Sequence, residues 1–97
     1  MNIAILHHDL EPSEEKIKEL IEKKGFKAFL FDVRESQIQD FKGIDLVLNR
    51  VYASVANRDY PSIKKTLKLL KELEKIVPCV NSYQTSLYDY NKYEAYK

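Results

Sequence analysis

The sequence predicts an α/β fold, a small half-Rossmann-like parallel sheet of about four strands flanked by helices. Two observations carry this. Short apolar runs (Ile3 to Leu6, Phe26 to Val33, Asp45 to Leu48 and Ile76 to Val80) alternate with segments of helical period, and the connections between them are short. With right-handed crossovers, the natural strand order for such βαβ units is 3-2-1-4. The length of 97 residues suits one domain with a modest core, and no internal repeat or low-complexity linker divides it.

Each element has its own signals. Ile3-Ala4-Ile5-Leu6 is a continuous apolar run, as expected of a strand covered on both faces. A helix follows, with Ser13 as a candidate cap, Glu14 and Glu15 at the positive end of its dipole, and Ile17, Leu20 and Ile21 at helical spacing. Gly25 supplies its left-handed stop. Phe26 to Val33 reads as the second strand, Glu35 to Phe41 as a short helix before Gly43, and Asp45 to Leu48 as a third strand ending at Asn49-Arg50. Residues Val51 to Arg58 have no clean period and read as loop. Asp59 then offers a cap ahead of Pro61, and Ile63, Leu67, Leu70 and Leu73 form the stripe of a longer helix. Ile76 to Val80 brings a short fourth strand. The reading divides the chain into an α/β domain over 1–80 and a tyrosine-rich segment over 81–97.

Composition narrows the function. Sixteen Lys and Arg against fifteen Asp and Glu give a net charge of +1, which supplies no field for a phosphate backbone or an anionic bilayer. The longest apolar runs are four residues, against the roughly 20 that a membrane span requires. Met1-Asn2-Ile3 lacks the basic flank and apolar stretch of a signal peptide, and Cys79 is the lone cysteine, so the expectation is a reduced, cytoplasmic domain. A basic face on the longer helix (Lys64, Lys65, Lys68, Lys71, Lys75) is diluted by Glu72 and Glu74, and reads as a solvated surface.

In open parallel sheets the ligand lies beyond the carboxyl ends of the strands. Those ends are His7-His8-Asp9, Asp32 to Arg34, Asn49-Arg50 and Asn81-Ser82, a polar rim with both signs of charge. It would suit a small zwitterion or carboxylate. Backbone cradling of a pyrophosphate needs a glycine-rich turn after the first strand, yet residues 7–12 contain no glycine, and no Walker A pattern exists. The domain is therefore not expected to bind a nucleotide by itself. A metal centre on His7, His8, Asp9 and Glu11 is disfavoured, because adjacent strand residues point to opposite faces; one histidine near the core and one on the rim is the plainer reading. A phosphoacceptor site with Asp9 holding Mg²⁺ fails at the third strand, which ends in Asn49. Cys79, flanked by Val77, Pro78 and Val80, reads as a small core hydrophobe rather than a nucleophile.

Tyr83, Tyr88, Tyr90, Tyr93 and Tyr96 fall within fourteen residues, apolar in body and polar at the tip, as in interfaces. With no helix-ending residue before Lys97, the segment is expected to lead into a further domain. The alternative is that the tyrosines fold back over the sheet.

Three places carry a family resemblance: Asn2-Ile3-Ala4-Ile5-Leu6, Asp45-Leu46-Val47-Leu48-Asn49-Arg50, and Val80-Asn81-Ser82 followed by Asn91-Lys92. The sequence resembles the amino-terminal, pre-ATP-grasp domain of ATP-grasp carboxylate–amine ligases of the RimK and LysX type. Its first strand, the D-x-V-x-x-R end of the third strand, and an Asn closing the fourth strand ahead of an Asp-Lys pair are the matching features; Asn91 stands where the family has Asp. The resemblance implies an enzyme that uses ATP and Mg²⁺ to make an acyl phosphate, which an amine attacks. It places the ATP-clasping lysines and Mg²⁺-binding carboxylates in later ATP-grasp domains of the same polypeptide, so this chain alone is expected to be inactive and to hold no cofactor. It implies an amino-acid or peptide substrate. The charge balance and short apolar runs leave nucleic acid and membrane out of the expected partners, and a homo-oligomer is left open. Arg50 is the first candidate for a substrate carboxylate or developing phosphate, since its planar fork binds either bidentately. Asn81 is the second, at the strand end nearest the switch point of the 3-2-1-4 order. Plainer alternatives are that Arg50 pairs with Asp9 or Asp32, and that Asn81 caps the next helix. The competing function is a free-standing half-Rossmann binding or interaction module without catalysis.

Overall fold

The computed structural model describes residues 1–8, 12–51 and 59–83, apart from the side chain of residue 60. Within them lie β1 (Asn2–His7), α1 (Pro12–Lys23), β2 (Lys27–Asp32), a 3-10 turn (Ile38–Phe41), β3 (Leu46–Asn49), α2 (Tyr60–Leu73) and β4 (Cys79–Val80). All strand pairings are parallel, in the order β2-β1-β3-β4. The α/β class is as the alternating pattern predicts.

The order differs from 3-2-1-4: β3 lies against the free edge of β1 instead of outside β2. The strands carry the reason. β1 is apolar on both sides, with Ile3 to Leu6 all buried, and gains most from neighbours on both edges. β2 starts at Lys27, ends at Asp32 and leaves Phe29 42% exposed, which fits the end of a sheet. Asn2 then pins the arrangement: its N–H donates to Asp45 Oδ2 at 2.7 Å, its Nδ2 donates to the Gly43 carbonyl at 3.0 Å, and its own carbonyl accepts from Asp45 N–H at 2.8 Å.

This order makes the sheet doubly wound. The chain steps from β1 to β2 in one direction and from β2 back across β1 to β3 in the other, so right-handed connections fall on opposite faces. α1 packs on β2 and β1, while α2 meets the 3-10 turn. The larger core lies on the α2 face, where Ala4, Leu6 and Val47 meet Val33, Phe41, Val51 and the Ile63, Leu70 and Leu73 stripe. Phe31 stacks on Phe41 with ring centres 4.6 Å apart. Ile3, Ile5 and Ala28 are buried on the opposite face. That face is less completely covered: the register partners of β3 and β4, Leu48 and Val80, are half-buried and 46% exposed.

Local signals explain most boundaries. Gly25 (φ +90°) and Gly43 (φ +84°) stop their helical segments in the left-handed region. Asp59 caps α2, accepting from Ser62 N–H, with Pro61 in the first turn. Four expectations shift. Ser13 lies inside α1, its hydroxyl donating to Glu14 Oε2 at 3.0 Å. Leu20 is 49% exposed, outside the buried stripe. The segment over 35–41 forms only the 3-10 turn. The fourth strand is two residues long, because Glu74 to Val77 continue the turn at the end of α2 and leave Ile76 66% exposed.

Candidate functional site at the carboxyl ends of the strands

β1 steps outward to β2 on one side while β3 steps outward to β4 on the other, so the strand order reverses between β1 and β3. A crevice at that reversal is where sheets of this kind bind ligands. The strand ends bring His7, His8, Asn49 and Arg50 there. Arg50 N–H donates to the Leu6 carbonyl at 2.7 Å, extending the β1–β3 ladder by one residue. The observed order thus gives Arg50 the position at the reversal, and moves Asn81, just after β4, one strand away from it.

Side-chain alternation sorts the rim into two levels. His7, Asp32 and Arg50 share the α1 side of the sheet. Glu14, in the first turn of α1, is buried, and its Oε1 lies 3.4 Å from Arg50 Nε. Arg50 is 24% exposed. Glu14 is thus a carboxylate partner of Arg50; Asp9, one of the alternatives, lies outside the described residues. The other alternative, Asp32, is gripped by Arg34, with Nε at 3.0 Å from Oδ1 and Nη2 at 2.7 Å from Oδ2. That fork, ahead of lesser charge effects that include His7, holds the Asp32 carboxyl below the usual carboxylate range. Arg34 Nη2 also donates to the His8 carbonyl at 3.1 Å, tying β2's end to β1's.

On the α2 side, His8 Nε2 lies 2.9 Å from Asp59 Oδ2. Ser62 hydroxyl donates to the same oxygen at 2.6 Å. The Ser62 hydrogen bond first, and His8 second, lower the Asp59 pKa. Both histidines are buried, at 6% and 5% exposure, so the expected division into one core and one rim histidine does not hold. His7 Nδ1 is buried without a hydrogen-bond partner. Among the described residues no group of three or more His, Cys, Asp or Glu is placed to hold a metal ion.

Asn49 was legible only as a strand end, yet it organises the rim. Its side chain is 1% exposed, and its Oδ1 accepts from Val51 N–H at 3.0 Å. Asn81 Nδ2 donates to the Asn49 carbonyl at 3.0 Å, and Asn49 Nδ2 to the Asn81 carbonyl at 3.4 Å. Asn81 takes φ +58°, a left-handed conformation that Asn tolerates better than most residues, and so closes β4 against β3. Its side chain is used in joining strands.

The remaining candidates separate from the rim. Cys79 is level with Val47 in the sheet, its Sγ faces the Val77 carbonyl at 3.6 Å, and burial, with Glu74 adding to it, pushes its pKa up to about 11. A thiol so protonated is a poor nucleophile at neutral pH. Lys65 donates to the Arg34 carbonyl at 2.8 Å, while Lys64, Lys68, Lys71 and Lys75 are exposed. Tyr83 packs on the core, with Lys71 Nζ 5.9 Å from its ring centre. Tyr88, Tyr90, Tyr93, Tyr96, Asn91 and Lys92 lie outside the described residues. No helix of the described residues is long and apolar enough to cross a membrane.

The chain matches no known family model and no curated protein.

Proposed function

We propose that this domain is the substrate side of an ATP-dependent carboxylate–amine ligase, with the ATP and Mg²⁺ chemistry supplied by ATP-grasp domains of the same polypeptide. The observation that supports this most is the position of Arg50 at the β1–β3 reversal, one guanidinium edge toward buried Glu14. A guanidinium held at a strand end presents a planar fork of donors that suits a carboxylate. Asn81 contributes indirectly, by closing β4 on β3 beside that crevice. The two glycines, Gly25 and Gly43, lie at the amino-terminal side of β2 and β3, so the carboxyl rim has no glycine turn to cradle a pyrophosphate. The half-covered face of β3 and β4, with Val80 exposed, offers apolar surface to a neighbouring domain.

The test is ADP release by the polypeptide encoded by the whole reading frame, supplied with ATP, Mg²⁺ and panels of amino acids and short peptides. Turnover that depends on both a carboxylate and an amine is expected. Arg50→Ala should raise KM for the carboxylate partner about tenfold or more, the scale of one lost charge-assisted contact, with KM for ATP unchanged. Unchanged use of limiting carboxylate would remove Arg50 from the reading. A reading frame that stops after Lys97 would discard the ligase and leave a free-standing binding module.

A further inference from the structure

β2 is an end strand, and its sequence, Lys27-Ala28-Phe29-Leu30-Phe31-Asp32, has neither a proline nor an inward charge at its centre to discourage pairing. Lys27 N–H donates to the Met1 carbonyl and Val33 N–H to the His7 carbonyl, so the odd-numbered residues bond inward to β1. The backbone groups of Ala28 and Leu30 therefore point away from the sheet. Beside this edge runs a groove of about 510 Å³, lined by residues 27–31 and by Lys18 and Glu22 of α1.

We propose that this edge is the seam of a symmetric dimer, in which a second copy of the chain adds its own β2 antiparallel to the first and makes one eight-stranded sheet. The inference uses the sheet's edge, not its rim, and does not depend on the ligase reading. A two-fold axis perpendicular to the sheet pairs residues of like parity, and an axis through Phe29 sets Ala28 opposite the partner copy's Leu30. Both of the outward-facing residues are then used, each pair exchanging two backbone hydrogen bonds. The two Phe29 rings, 42% exposed in the single chain, meet as a close non-hydrogen-bonded pair on the axis.

The charges on α1 favour a second copy in particular. The groove is lined in the strand by residues 27–31, of which Phe29 is the middle one, and in the helix by Lys18 and Glu22, whose ion pair spans 3.3 Å. The same axis therefore brings Lys18 of each chain level with Glu22 of the other. With strands about 4.8 Å apart and α1 above the β1–β2 pair, the two α1 axes come to lie about 10 Å apart, an ordinary helix-packing distance.

Sedimentation equilibrium of the 97-residue chain tests this. Dimers are expected, and Phe29→Lys, which sets two like charges together on the axis, should raise the dimer dissociation constant about tenfold or more while the circular dichroism spectrum is retained. Lys18→Glu should also weaken the dimer, and Lys18→Glu with Glu22→Lys should restore it. The charge reversals carry the test if Phe29→Lys does not fold. A chain that stays monomeric throughout, a dimer indifferent to Phe29→Lys, a charge-reversed double variant no tighter than the single, or assembly continuing past two copies would each overturn the proposal.

Discussion

Among individual residues, Glu14 and Arg50 make the sharpest pair of roles. Burial of a carboxylate is tolerated when a cation faces it, and removing the cation leaves the charge uncompensated. On the proposed ligase reading, Arg50→Ala alone therefore mixes two effects, lost substrate contact and a stranded Glu14. Glu14→Gln separates them: the single variant should keep carboxylate use near wild type, and the double variant Glu14→Gln, Arg50→Ala should recover thermal stability without recovering KM. Differential scanning calorimetry beside steady-state kinetics reads both. Asp32 and Asp59 give a pH dependence of defined sign. Both have folded pKa values below the unfolded value of about 3.9, so their stabilisation is complete above that pH and is lost as pH falls through the lowered folded values. Melting temperatures of Asp59→Asn between pH 2 and pH 6, a range set about the usual Asp pKa, should accordingly show a flatter acid limb than wild type.

For single elements, the boundaries were legible wherever one residue type has one physical use. Gly25 ends α1 because φ +90° suits glycine, and nothing lies within 4 Å of where a side chain would begin. Gly25→Ala should therefore cost about 1–2 kcal/mol from backbone conformation alone, read as a shift in the urea midpoint at constant slope. Asp59 and Pro61 announced α2 in the same way. Leu70 is fully buried in the stripe the periodicity picked out, and Leu70→Ala should cost about 2–5 kcal/mol. Other signals misled because they depend on what lies elsewhere. Ile76 looked like strand, being β-branched and apolar, but the final turn of α2 claims it. Ser13 looked like a cap, but the helix begins at Pro12. The Asn49–Asn81 clip joins residues 32 apart, and neither side chain advertises the other.

Across the whole molecule, the fold class was legible and the strand order was not. Alternating strand and helix signals require a parallel sheet, but the connection from β2 to β3 carries no mark of which edge β3 will join. The apolar character of β1 and the charged ends of β2 were in the sequence; their meaning depends on comparing the strands as competitors for the centre of one sheet. That difference moves the reversal of strand order from between β1 and β4 to between β1 and β3, which leaves Arg50, the first candidate, beside it and Asn81, the second, one strand away. The rim was legible as a set of strand ends. Of its pairings, Arg34 on Asp32 is local, two residues apart, whereas His8 on Asp59 and Glu14 toward Arg50 were not legible, because they join segments whose separation only the closed sheet sets.

The central place of β1 also has a consequence for the order in which the chain comes together. Its pairing with β2 closes over α1 and is comparatively local, whereas its pairing with β3 is held by contacts such as Asn2 to Asp45, 43 residues apart. Loop-closure entropy favours the nearer partner first. During synthesis at about 5–20 residues per second, β1 and β2 therefore precede β3 by about one to three seconds. For that interval the most deeply buried strand among the described residues has one flank open, the side that β3 has yet to reach. This is the stage at which a nascent chain of this design would gain most from a chaperone.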